Sequence, residues 1–187
     1  MAEGMRSQGY AQQYRDGGWR KQPSEGPKFT DWLLDLEHYG VRSILDLGCG
    51  DAGWIGKQPG VTSGRISYFG VDLVPTLIEH NKRIYPWFSG EAKDIEGFLR
   101  IDADLVILRH VLEAYCNGVS EMALKAINAG TWKYFIVSTS AKVKNGRRRN
   151  LGLKATMGYN VEASDLIGGD VVRRFKCGDG ETLIYRR

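Results

Sequence analysis

Apolar and polar positions change their period several times along the chain, and each change predicts an element. Phe29, Trp32, Leu33, Leu36 and Tyr39 recur at helical spacing, with Gly40 placed to end the helix. The run RSILDL (42–47) is short, apolar and followed at once by glycines, which predicts a first strand. Gly56, Pro59, Gly60 and Gly64 then crowd the stretch from Trp54 to Arg65, so any helix beginning near Ala52 is short. ISYFGVDL (66–73) reads as a second strand. VPTLIEHNKR (74–83) reads as a helix with Pro75 in its first turn, where a missing N–H does no harm. WFSGEA (87–92) is a weak third strand. In ADLVILRH (103–110) the continuous apolar run from Leu105 to Leu108, bounded by charge, suits a central strand buried on both faces. A helix over 119–129 closed by Gly130, and a fifth strand KYFIVSTS (133–140), complete this part.

Strands alternating with helices indicate a mostly parallel, doubly wound α/β sheet covered on both faces. After residue 140 the rhythm changes. A basic loop and a short helical piece near Glu162 to Ile167 lead to VVRRFKCG (171–178) and ETLIYRR (181–187), joined across GDG (178–180), which predicts a C-terminal antiparallel hairpin. Residues 1–28 are polar and lack periodicity, yet hold Tyr10, Tyr14 and Trp19. A disordered arm has few aromatics, so these residues are expected to fold back over a single domain formed by residues 29–187, as a lid.

A length of 187 residues, 42% of them hydrophobic, supports one domain with a real core. No window reaches the roughly 20 apolar residues of a membrane span, and the first residues carry no apolar signal segment. The expectation is a soluble, cytoplasmic protein without a membrane partner. Cys49, Cys116 and Cys177 are widely spaced, without CxxC or a histidine cluster, so free thiols and no metal are expected. The net charge of +4 is mild. Lys142, Lys144, Arg147, Arg148 and Arg149 are concentrated around an Asn145-Gly146 turn, as a solvated loop or a contact for phosphate or an acidic substrate.

The chemistry is concentrated in ILDLGCGDAGW (44–54). Gly48, Gly50 and Gly53 in GxGxxG spacing follow a strand, and Asp72 stands nineteen residues beyond Gly53 at the tip of the next, where a carboxylate can accept from ribose hydroxyls. A nucleoside-bearing ligand follows. Asp46 precedes the glycines and Asp51 sits among them. Two acids repel a pyrophosphate but suit an ammonium and a sulfonium, which points to S-adenosylmethionine over a nicotinamide dinucleotide.

From about Gly40 to Ser140 the chain resembles the class I S-adenosylmethionine-dependent methyltransferases, Rossmann-like enzymes, with LDLGCGDAGW as their first motif and YFGVDL as their second. It is similar in particular to small bacterial and phage members that join a CGDxxW loop, here Cys49 to Asp51 with Trp54, to a segment running here from Tyr68 through Asn81. The resemblance implies that Gly48, Cys49 and Gly50 pass under the methionine part and that Asp46 helps hold its amino group. Asp72, with Leu73 beside it, is implied at the ribose. Asp94 is implied to accept from the adenine amine, with Ile95 in the same segment, and Arg109 and His110 to lie near the transferred methyl.

Methyl transfer needs alignment more than a covalent intermediate. His110 is the group to take a proton from the acceptor, or a histidine that merely ends a strand. Arg109 pairs with a carboxylate of cofactor or substrate, or with Glu113. Trp54 covers the cofactor or staples its loop to the core. No Asp-Pro-Pro-Tyr type motif follows strand four, and no cysteine stands where a nucleophile for carbon-5 pyrimidine methylation is expected. A small-molecule acceptor is therefore the first expectation. The alternatives are a nucleic-acid methyltransferase using the 142–149 loop with Arg173, Arg174, Arg186 and Arg187, and a non-catalytic module that only binds cofactor.

Overall fold

The computed structural model describes residues 27–112, 117–139, 161, 165–177 and 180–187. Seven strands form one sheet in the order β3-β2-β1-β4-β5-β7-β6. They are β1 (Ser43–Leu47), β2 (Ser67–Asp72), β3 (Ser89–Ala92), β4 (Leu105–Leu108), β5 (Tyr134–Thr139), β6 (Asp170–Cys177) and β7 (Gly180–Arg186). The first five are parallel; β7 runs antiparallel to both β5 and β6. The helices are α1 (Pro27–Leu34), α2 (Pro59–Thr62), α3 (Pro75–Ile84) and α4 (Asn117–Ala129), with single 3-10 turns at Ile55–Lys57 and Ile95–Gly97. The expected architecture, a largely parallel sheet ending in an antiparallel hairpin, is the one observed. Among the described residues no helix is long and apolar enough to cross a membrane.

Side-chain alternation on the strands creates two cores, one on each face of the sheet. Val106 and Leu108 of β4, with Phe135 and Val137 of β5, pack among Ala123, Leu124 and Ile127 of α4. Their sequence neighbours Leu105, Ile107, Tyr134 and Ile136 face the other way, onto Phe29, Trp32 and Leu33 of α1 and Ile78 of α3. All four residues of β4 are fully buried, as its continuous apolar run requires in the middle of the sheet. Each such Leu or Ile contributes about 1.5–3 kcal/mol by leaving water.

The first helix is shorter than its periodicity predicts. It ends at Leu34, and a turn carries the chain to Gly40. The Val41 N–H donates to the Leu36 carbonyl (3.0 Å) and the Gly40 N–H to that of Glu37 (3.0 Å), with Gly40 at φ +71°. This is a Schellman closure, sealed by fully buried Leu36 and Val41. The side-chain period therefore outlasts the helix. The helical piece expected near 162–167 is not found at its described end: Asp165 is in a turn, Leu166 and Ile167 carry no regular structure, and residues 162–164 lie outside the described residues. So do most of the 1–28 arm, the 142–149 loop, Glu113 and Cys116.

Candidate functional site

The carboxyl ends of the parallel strands gather the expected residues along one edge of the sheet. Asp46 lies in β1 and Asp72 ends β2; Asp94 follows β3, and Arg109 and His110 follow β4. Antiparallel β7 is interposed between β5 and β6, so β6 again runs with β4 and also brings its carboxyl end, Cys177, to this edge.

The loop after β1 is folded by its own backbone. Gly48 N–H and Cys49 N–H both donate to the Val71 carbonyl, at 2.7 and 3.0 Å. Gly48 has φ +79°, and a methyl group added there would overlap the Val111 side chain, so only glycine fits. Gly50 donates its N–H to Asp72 Oδ2 (2.9 Å), and Val74 donates to Asp72 Oδ1 (2.9 Å). Burial pushes the Asp72 carboxyl above its usual range, and these N–H groups act against that. Asp51 accepts from the Gly53 N–H (3.2 Å), closing the loop on itself. No long helix follows; the chain makes only the turn at Ile55–Lys57 and the four residues of α2. An extended run of aligned peptide dipoles, the device that holds a pyrophosphate, is absent from this described segment.

Asp46 is nearly inaccessible, 2% exposed, and accepts a hydrogen bond from the Tyr68 hydroxyl (2.8 Å). Burial pushes its carboxyl up to about 7; the Tyr68 bond and the Arg109 charge lower it, and Asp72 raises it further. Among the described residues neither Asp46 nor Asp72 forms an ion pair. Cys49 lies beside them with its thiol pushed far up, by burial first and then by the charges of Asp46 and Asp72, so it is inert.

Asp94 caps the 3-10 turn after β3, accepting from the Glu96 N–H (3.3 Å), and Ile95 is buried in the core. Leu73 is half-buried beside Asp72. The Lys93 N–H donates to the Asp72 carbonyl (3.0 Å), tying this segment to the tip of β2.

At the β4 end, the Arg109 guanidinium lies 4.6 Å from the Trp54 ring centroid and 5.9 Å from that of Phe29. Trp54 is stacked near Phe29 (6.4 Å, 23°), and Phe29 meets Phe175 of β6 edge-on (5.3 Å). Trp54 thus staples its loop to α1 and carries Arg109. His110 has φ +56°, a left-handed conformation costly for a residue with a Cβ. Its Nε2 lies 3.5 Å from Cys177 Sγ; which atom donates depends on the tautomer.

The roles of Tyr68 and Asn81 were not evident as chemistry in the sequence, although both stand in the segment that accompanies the glycine loop. Tyr68 holds Asp46, and Asn81 Nδ2 donates to the Gly50 carbonyl (2.8 Å). Cys177 of β6 is buried, and it also touches the candidate base. Arg187 is taken up by the fold, donating to the carbonyls of Gly168, Gly130 and Asn128 and lying 4.2 Å from the Trp132 ring centroid.

No family model matches this chain, and no curated protein matches it in sequence. Solved structures do match in fold. A TehB-like SAM-dependent methyltransferase from Corynebacterium glutamicum superposes with a TM-score of 0.61 at 19% identity, covering 98% of each chain. The N-methyltransferase NodS from Bradyrhizobium japonicum gives 0.62 at 15%, over 86% of this chain and 94% of its own. The magnesium protoporphyrin IX methyltransferase of Synechocystis, solved with bound SAM, gives 0.62 at 15%, over 86% and 76%. The chain has the Rossmann-like fold of SAM-dependent methyltransferases.

Proposed function

We propose that the protein is an S-adenosylmethionine-dependent methyltransferase acting on a small-molecule acceptor. The observation that carries this reading is the pair of carboxyl groups at the tips of β1 and β2. Asp72 is locked by backbone N–H groups on both oxygens, Asp46 is buried, and neither forms an ion pair within the described residues. A buried carboxyl raised to about 7 is completed by a ligand that brings positive charge. The adenosyl sulfonium amino acid fits that demand; a dinucleotide pyrophosphate does not.

In this reading Asp72 accepts from the ribose hydroxyls and Asp46 faces the ammonium end, with Gly48, Cys49 and Gly50 passing beneath and Asp51 adding negative charge. Asp94 accepts from the adenine amine, and Leu73 and Ile95 supply apolar walls. When bound, S-adenosylmethionine supplies a methyl group made electrophilic by its positive sulfur. The rest of the task is alignment and proton handling by the chain. His110, at the end of β4, takes the acceptor's proton, a task to which an imidazole is suited. Arg109, carried on Trp54, orients an acidic group of the acceptor. Folds of this kind serve methyltransferases with small-molecule acceptors such as magnesium protoporphyrin IX. The internal use of Arg187 removes one of the four C-terminal arginines on which the nucleic-acid alternative leans.

The test is binding and turnover together. The unaltered protein is expected to bind S-adenosylmethionine at micromolar levels and to release adenosylhomocysteine with a competent acceptor. Asp72→Ala is expected to weaken binding about a hundredfold, the loss of charge-assisted hydrogen bonds to two hydroxyls. Equal affinity in the two proteins, measured by titration calorimetry, refutes the assignment.

A further inference from the structure

We propose that Asn81 is a positioning residue that sets the Asp72 carboxylate through the Gly50 peptide group; the inference rests on Asp72 being a cofactor ligand. Asn81 is fully buried in α3, and its Nδ2 donates to the Gly50 carbonyl at 2.8 Å. Gly50 in turn donates its N–H to Asp72 Oδ2 at 2.9 Å. Gly50 stands at φ +56°, and a Cβ placed on it would meet nothing within 4 Å. Side-chain packing therefore cannot orient this residue. Two strong hydrogen bonds do, one on each side of its Cα and both from the β2–α3 unit, while the Cys49 thiol adds only a weak one to the same carbonyl (3.7 Å).

The same unit grips Asp72 a second time. Val74, the cap of α3, donates to Oδ1, so the start of α3 fixes one carboxylate oxygen directly. Asn81, nearly two turns further along the helix, fixes the other through Gly50. Without the amide, only the weak Cys49 thiol bond holds the Gly50 carbonyl, so the peptide can rotate, Oδ2 loses its N–H, and the carboxylate can turn away from the direction in which it meets a vicinal diol.

The other half of the Asn81 side chain argues that this bond is what the residue contributes. Its Oδ1 is buried and has no hydrogen-bond partner among the described residues. A flipped amide would set oxygen against the Gly50 carbonyl oxygen, so the orientation is determined. An unpaired buried amide oxygen costs stability. A residue present only to fill this space is better apolar, and what the amide adds is its bond to Gly50.

Adenosylhomocysteine binding is measured by calorimetry on the full chain, for the unaltered protein, Asn81→Leu, Asp72→Asn and the double variant, with the melting temperature of each. Asn81→Leu is expected to lose ten- to thirtyfold in affinity while melting at or above the parent temperature. The double variant is expected to bind within twofold of Asp72→Asn alone, because both changes act on one carboxylate. Unchanged affinity in Asn81→Leu overturns the inference, as does a double variant in which the two losses multiply, the pattern of an independent structural effect. If Asn81→Leu does not fold, Asn81→Ala, which removes the amide without adding bulk or charge, is judged by the same two criteria. No binding by the unaltered protein overturns the cofactor reading and the inference with it; binding by that protein together with an insensitive Asn81 variant overturns the inference alone.

Discussion

The two edges of the sheet treat carboxylates in opposite ways. At the amino edge Asp104, just before β4, accepts from the Arg42 and Ser43 N–H groups (2.7 and 3.2 Å) and pairs with Lys133 (2.9 Å), pinning β1, β4 and β5 together. Burial alone would raise its pKa, but Lys133 and the two N–H groups outweigh it, and the carboxyl is held below its usual value. At the carboxyl edge Asp46 is buried deeper, has one neutral donor, and is raised to about 7. An acid that serves the fold arrives with its counter-charge. An acid left without an ion pair, at the end of a sheet where ligands of α/β proteins bind, is in the proposed function completed by a charge from outside.

Gly48→Ala breaks the carboxyl edge most severely. Its methyl group overlaps Val111 at a left-handed φ, and a loss of about 3 kcal/mol is expected. Gly50→Ala, also at positive φ but facing open space, should cost about 1 kcal/mol. Chemical denaturation compares the two.

Asp46→Asn sharpens the contrast through pH. The folded-state pKa of Asp46 is raised, so the folded protein binds more protons than the unfolded chain between about pH 4 and 7, and stability falls as pH rises through that window. The neutral amide removes this dependence and can still accept from Tyr68. The stability of Asp46→Asn relative to the parent should therefore climb by about 2 kcal/mol from pH 5 to pH 8, followed by melting temperature. Asp104→Ala should act the other way, destabilising by about 1–2 kcal/mol at pH 7. The folded pKa of Asp104 is lowered, so its contribution is present above the unfolded carboxylate value and fades as pH falls toward and below it. Parallel pH trends in the two variants would erase the distinction between the edges.

Strands and the acids at their tips were legible because local pattern encodes them: short apolar runs of strand length, a continuous apolar run for β4, and glycines that can only be a tight loop. The end of α1 was not, because the Schellman turn keeps burying side chains at helical spacing after the helix has stopped. Tyr68 reads as an ordinary strand residue until β1 and β2 are paired. With Ile44 opposite Tyr68, Asp46 becomes its diagonal neighbour on the same face. Asn81 reads as a polar helix residue until its bond to Gly50 is seen. The contact of His110 with Cys177 joins positions 67 residues apart, and nothing local to either announces it. The half proposed to hold the cofactor was readable because one loop and two strand tips compose it. Phe29, Trp54, Arg109, His110, Phe175 and Cys177, which form the other half, come from α1, two loops and β6.

The most direct measurement is titration of the unaltered protein with S-adenosylmethionine in two buffers of different ionisation heat, repeated from pH 5.5 to 7.5. An ammonium docked against Asp46 stabilises its ionised form, so binding should release a fraction of a proton near pH 6.5, and affinity should rise with pH until it levels off above about 7. Absence of binding at millimolar concentration to the folded protein, or binding with neither proton release nor pH dependence, would contradict the account.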